Sequence, residues 1–227
     1  NDDGTINFKP TQDGLRTNPL AEIVPGAHED LTKRYRIFNS FYAVYDITPS
    51  LTYRFNFGPD IGISRSGRFI GSQTNARREG DPTGSISEEF QFNYTIENII
   101  NYTKILNESH TFQFTGLQSL QRDNREYSSI NVLGIPAESQ SYHQLGDASQ
   151  ITGANTNLIQ WTLLSFMGRL NYDYQGKYLM TATLRADGSS RFGKNNRFGY
   201  FPSVALGWNI GDERFLQEST VLDQLKL

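Results

Sequence analysis

The chain has no cysteine among its 227 residues, which removes disulfide frameworks, thiolate metal sites and cysteine nucleophiles together. It has little net charge: 21 basic against 24 acidic residues give −3, so no basic footprint points to nucleic acid. Nor does any stretch approach the roughly 18 consecutive apolar residues of a membrane helix. That last absence excludes helical spans alone, because a transmembrane barrel alternates lipid-facing and lumen-facing residues and keeps a low average such as the mean hydropathy of −0.54 seen here. Histidine is scarce as well. His28, His110 and His143 fall in an N-terminal loop, at a strand start and in a long loop, with no nucleophile-elbow pattern beside them, so a hydrolytic triad is not expected. Asp187-Gly188-Ser189-Ser190-Arg191 supplies too few oxygen ligands for calcium, and no helix follows to offer amides to phosphate. No catalytic, cofactor or metal site is predicted.

What the chain does have is aromatic residues, 13% of the total with Phe and Tyr dominating, and 20 glycines. They are arranged with a period of two. Between residues 163 and 215, Leu164, Phe166, Gly168, Leu170, Tyr172 and Tyr174 alternate with Arg169, Asn171 and Asp173. After the tight Gln175-Gly176-Lys177 connection, Tyr178, Met180, Ala182 and Leu184 alternate with Thr181, Thr183, Arg185 and Asp187, and a third segment carries Tyr200, Val204, Leu206 and Trp208. One apolar face thus persists through a β-meander. Upstream, Leu51, Tyr53, Phe55 and Phe57 alternate cleanly in a strand continuing to about Ser64; Phe90, Phe92, Tyr94, Ile96 and Tyr102 mark a long half-polar strand, and Phe112 and Phe114 its partner, which runs out to about Ser129. Phe41 to Ile47 is a strand whose lipid-facing side the sequence leaves ambiguous. Residues 1–36 read as mostly loop.

The connections alternate in length: short at residues 48–50, 106–109 and 175–177, long at 65–85, 131–157 and 188–197. Residues 211–223 break the rule and predict a short helical turn with Glu213, Phe215 and Leu216. A long loop such as 131–157 is unusual in a compact soluble domain and ordinary in an up-and-down barrel. The fold class expected on these residues is all-β, an antiparallel up-and-down meander of the kind that builds a transmembrane barrel. The alternatives on these residues are a soluble or surface-attached all-β module binding carbohydrate or protein, and a passive porin-like barrel.

The run GRLNYDYQGKYLMTATLRADGSSRFGKNNRFGYFPSVALGWNIGDERF, from Gly168 to Phe215, resembles nearly position by position a signature of SusC/RagA-type TonB-linked outer-membrane proteins. Weaker similarity runs through Asn18-Pro19-Leu20-Ala21, Phe41 to Tyr45 and Phe55 to Gly58. The resemblance implies that the meander forms part of a large, plugged outer-membrane barrel importing a bulky glycan or peptide, with a SusD-like surface lipoprotein lid and energy coupling through TonB. It implies that the plug and the TonB-contact segment lie outside this chain, that loops 131–157 and 188–197 are extracellular, and that the 175–177 turn is periplasmic.

Arg169, Asp173, Arg185 and Asp187 share the polar strand face. They either touch substrate or plug in a lumen, or form an ion-pair ladder that stiffens the wall. Tyr127, Tyr142 and Arg191 are candidate substrate contacts, the tyrosines by stacking on sugar rings; packing within their own loops is the other reading of the tyrosines. Tyr172, Tyr174, Tyr178 and Trp208, gathered around a turn, suit an interfacial aromatic girdle.

Overall fold

The computed structural model describes residues 6–11, 14–213, 216 and 225–227. Eight strands form one sheet: β1 (His28–Phe38), β2 (Phe41–Thr48), β3 (Leu51–Ile70), β4 (Thr83–Leu106), β5 (His110–Leu133), β6 (Gln150–Tyr174), β7 (Tyr178–Ser189) and β8 (Phe198–Trp208). Their order is β1-β3-β4-β5-β6-β7-β8, with β2 also paired to β3. This is the expected antiparallel meander.

The strands are longer than the hydrophobic alternation. β3 continues to Ile70 rather than Ser64, β5 to Leu133, and β6 begins at Gln150, which shortens the 131–157 connection to residues 134–149. At these polar ends the side-chain period fades while the backbone ladder, which depends on N–H and C=O groups alone, continues. Residues 1–36 are also not all loop: a 3-10 turn spans Pro19–Ile23 and β1 starts at His28. β1 and β2 are separated at Asn39-Ser40, where Asn39 N–H donates to the Pro59 carbonyl at 3.1 Å. Pro59 has no N–H to return, so the ladder is interrupted opposite it. Of the helical turn expected over 211–223, a 3-10 turn at Ile210–Asp212 is present; Phe215 lies outside the described residues.

The chain divides into two compact units. The first comprises Asn1–Ile37, Ile61–Phe92 and Asn124–Ile159. Its core is Phe69, Val132, Ile135 and Tyr142, with Ile86, Ile130, Leu145 and Ala148 packed around them. The 134–149 connection is tied down rather than free: Gly134 N–H donates to Pro82 at 2.8 Å, and Ser72 N–H donates to the Glu138 carboxylate at 3.0 Å. The Tyr142 ring fills the space over Gly67, where a Cβ would stand 2.3 Å from it.

The second unit comprises Phe38–Asp60, Asn93–Asp123 and Gln160–Leu227. Here register fixes the faces. Tyr172 pairs with Met180 and Met180 with Leu206; Leu170 pairs with Ala182 and Ala182 with Val204. Directly paired residues point the same way, so the even positions of β6, β7 and β8 form one apolar face. β2 joins it through Phe41, Ala43 and Tyr45, which pair with Phe57, Phe55 and Tyr53. The opposite face carries Arg54, Asn56, Arg169, Asn171, Thr181, Thr183, Arg185 and Asp187. The turn between β6 and β7 needs positive φ at Gln175 (54°) and Gly176 (70°), and the Asp173 carboxylate closes it by accepting the Gly176 N–H at 2.7 Å.

Candidate functional site

On the polar face of the second unit, each charge has a local partner. The Arg185 Nε–H donates to both Asp187 carboxylate oxygens at 2.8 and 2.9 Å, an i,i+2 pairing along β7, and Nη2 reaches Ser165 Oγ at 3.4 Å. Arg185 is paired across the strands with Met167 and Phe201. Arg169 Nε–H donates to Thr183 Oγ1 at 3.3 Å. Asp173 is engaged in its turn. The four charges are thus brought onto one face; the opposite-charge pair among them, Arg185–Asp187, runs along β7, and Arg169 reaches across to Thr183. Elsewhere on this face Arg54 donates to Asn56 at 2.8 Å, Asn56 to Glu97 at 2.9 Å, and Thr181 to Asn171 at 2.8 Å.

Arg191 lies with its guanidinium 4.9 Å from the centre of the Trp161 ring. The 190–197 connection is docked there by Ser190 N–H to Thr162 O at 2.9 Å and Thr162 N–H to Ser190 Oγ at 2.8 Å. Trp161 was not singled out from the sequence, although its odd position places it in line with Ser165 and Arg169. The Arg191–Trp161 contact stands at the long-connection end of β6, and the Arg185–Asp187 pair lies further along the sheet, opposite Met167 and Ser165. These groups can hydrogen-bond hydroxyls, amides or carboxylates and can stack on a flat ring.

The tyrosine candidates part company in the first unit. Tyr127 lines an open cleft of about 680 Å³ with Ile63, Arg65, Glu88, Phe90 and Leu158, and Arg65 and Glu88 form an exposed ion pair at 3.4 Å. Tyr142, in contrast, is 5% exposed and belongs to the core, packed with Phe69 of β3 and Val132 of β5 rather than within its own loop alone. Burial, and then the nearby Glu29, hold its phenol above the usual range, so it stays neutral.

At the short-turn end of the apolar face the aromatic residues form a row across four strands. His110 lies 4.7 Å from Tyr174, Tyr174 stacks on Tyr178 at 6.1 Å, and Tyr178 stacks on Trp208 at 6.3 Å. Glu213 caps this row: it accepts from the Tyr178 hydroxyl at 2.7 Å and the Trp208 indole at 3.2 Å, with Lys177 at 3.6 Å. Those two hydrogen bonds, then Lys177, hold its carboxyl below the usual carboxylate range. His110 and Glu213 were not read as members of this belt, because their spacing in sequence carries no sign of it.

No family model matches the chain. It is 31% identical over 231 residues to TonB-dependent receptor P26 of Formosa agariphila, covering 100% of this chain and 23% of the receptor. It is 33% identical to TonB-dependent receptor P39 of the same organism, over 93% of this chain and 20% of that receptor. With TonB-dependent receptor SusC of Bacteroides thetaiotaomicron it shares 32% identity over 244 residues, covering 100% of this chain and 22% of SusC. The chain thus spans about a fifth of the length of the curated relatives it matches. Among solved structures, the RagAB peptide importer in its open-open state superposes with a TM-score of 0.82 at 19% identity, over 99% of this chain and 25% of that one. A second structure of the RagAB peptide transporter gives 0.82 over 88% and 22%. Alike in sequence along its length to these receptors and alike in fold to the RagAB structures, the chain belongs to the SusC/RagA-type TonB-linked outer-membrane proteins and forms a section of their transmembrane β-barrel.

Proposed function

We propose that the full-length protein carrying this chain imports a bulky nutrient, a glycan or a peptide, across the outer membrane with energy delivered through TonB. On this reading the section supplies barrel wall and loops and no catalytic group. The apolar face meets lipid. The polar face, with Arg169, Asp173, Arg185 and Asp187, lines the lumen, and Arg191 and Tyr127 stand near the substrate's path; the 134–149 and 190–197 connections face outward, where a SusD-like lipoprotein lid sits.

The observation that carries the reading is that the charges of β6 and β7, Arg169, Asp173, Arg185 and Asp187, all fall on one face of the second unit while the opposite face is apolar, joined to sequence similarity with TonB-dependent receptors along the whole chain. Unpaired strand edges cannot sit in hydrocarbon, so a sheet with one lipid-facing side must close into a barrel. Uptake of labelled oligosaccharides and labelled peptides by cells expressing the full-length protein tests it. Uptake of one of the two classes is expected, and is expected to stop when TonB is deleted. Uptake that continues undiminished without TonB would favour the passive porin.

A further inference from the structure

Within the second unit, register decides what stands beside Asp123. β4 and β5 are strands of 24 residues each, joined between Leu106 and His110. Thr115 Oγ1–H donates to Asn101 at 2.9 Å and Asn98 Nδ2–H donates to Gln118 at 2.6 Å, so 101 stands opposite 115 and 98 opposite 118, in step with the turn. Five residues further along this antiparallel ladder, Asp123 stands opposite Asn93. On the other side, His110 lies against Tyr174 and Phe112 against Tyr172, with ring centres 4.7 and 4.9 Å apart, which sets Trp161 of β6 opposite Asp123. Those rings belong to the apolar face. Asp123 and Trp161 are each eleven residues from Phe112 and Tyr172, an odd number, and so project from the polar face. Asn93, Asp123 and Trp161 therefore form a row across three strands, and Arg191, over the Trp161 ring, ends it.

The row is short of donors. Asp123 is 8% exposed, and its carboxylate has no hydrogen-bond or ion-pair partner among the described residues. The Asn93 Oδ1 is buried and likewise unpartnered. Arg169, Asp173, Arg185 and Asp187, on the same face, are all engaged, which makes Asp123 the exception. A buried carboxylate without a counter-charge is costly, and the amide oxygen beside it adds a second acceptor. Calcium takes about six to eight oxygen ligands, and an indole supplies none. A protonated amine fits the set better, because its N–H donors suit the two oxygens and its charge suits the ring. Trp161 already holds one cation, the Arg191 guanidinium.

We infer that Asp123, Asn93 and Trp161 form a docking site for a primary ammonium group carried by the cargo, the free amine of a peptide or of an amino sugar. This inference rests on the lumen orientation of the polar face proposed above. It makes the amine, rather than the polymer that bears it, the feature this part of the wall selects.

The test uses the full-length protein purified in detergent and two pairs of probes, titrated by isothermal calorimetry. One pair is penta-alanine amide with a free or an acetylated N-terminus; the other is a glucosamine hexamer and its N-acetylated twin. A charge-assisted hydrogen bond to a buried carboxylate is expected to make at least one amine probe bind about ten- to a hundredfold more tightly than its twin. The pair that shows the preference identifies the source of the amine. D123N should abolish the preference and W161L should reduce it severalfold, with assembly checked by heat-modifiable gel mobility. W161L leaves the carboxylate in place and carries the test should D123N fail to assemble. Equal binding within both pairs, a preference that survives D123N or is unchanged in W161L, or calcium binding by the protein alone that D123N removes, overturns the inference. Uptake undiminished by deletion of TonB would instead overturn the import reading and leave the binding comparison untouched.

Discussion

A single methyl group at Gly67 would meet the Tyr142 ring at 2.3 Å, so this glycine is where the 134–149 connection is locked to its strand. Gly67→Ala is expected to destabilise the first unit by about 1–3 kcal/mol, as overpacking of a filled core does, and to make residues 134–149 the first site of limited proteolysis. The Glu22 carboxylate accepts the Asn75 N–H and pairs with His28. Chiefly the Asn75 bond, then His28, depresses its pKa. A depressed carboxylate stabilises the folded state above its unfolded value, and that contribution is lost as pH falls through the folded value. Exchange of the Asn75 amide should therefore speed up, after correction for intrinsic rates, as the pH drops below the usual carboxylate range. In Glu22→Gln this acid-dependent step should be missing. On the apolar face, Leu184 lies mid-strand and exposed, paired with Gly168 and Pro202. Leu184→Arg should cost about 2–4 kcal/mol in equilibrium unfolding from lipid, while Thr183→Arg, one residue along and on the polar face, should cost far less.

At the scale of elements, the alternation of connection lengths is the informative feature. Short turns at 49–50, 107–109 and 175–177 are closed by left-handed residues such as Asn107 (49°), Glu108 (58°) and Gly176 (70°), and by side chains such as Asp173. The longer connections 71–82, 134–149 and 190–197 carry their own hydrogen bonds. Epitope tags inserted after Gly146 or Gly193, where an added Cβ would meet nothing within 4 Å, should be labelled on intact cells. A tag at Gly176 should be labelled only once the outer membrane is permeabilised. The reverse pattern would invert the topology. The same alternation explains why strand ends were hard to read: beyond the apolar band a strand has no lipid to face, so nothing selects an alternating side chain, yet its backbone still pairs.

At the scale of the whole molecule, the second unit presents an apolar face on which Tyr200, Val204, Leu206 and Leu184 are all exposed. An aqueous protein does not leave such an area open, and a barrel in lipid does. The 0.82 superposition takes in 99% of this chain and 25% of the open-open RagAB chain.

The sequence by itself determined the fold class, because a period of two survives every short turn from Leu51 to Trp208, and one slipped residue would turn Arg169, Arg185 and Asp187 into the apolar side. It also determined the apolar members of the belt, since Tyr172, Tyr174, Tyr178 and Trp208 cluster about one turn. The pairing of charges was decided in three dimensions. Arg185 chose Asp187 on its own strand because register set Met167 and Phe201 beside it, and no linear pattern encodes which residues register will place across a strand. The fates of Tyr127, near the polar end of a strand, and Tyr142, in the connection that follows it, were likewise not told apart by their neighbours in sequence. Only the fold shows one lining an open cleft and the other filling the hollow over Gly67, because that hollow exists solely when β3 and the 134–149 connection come together.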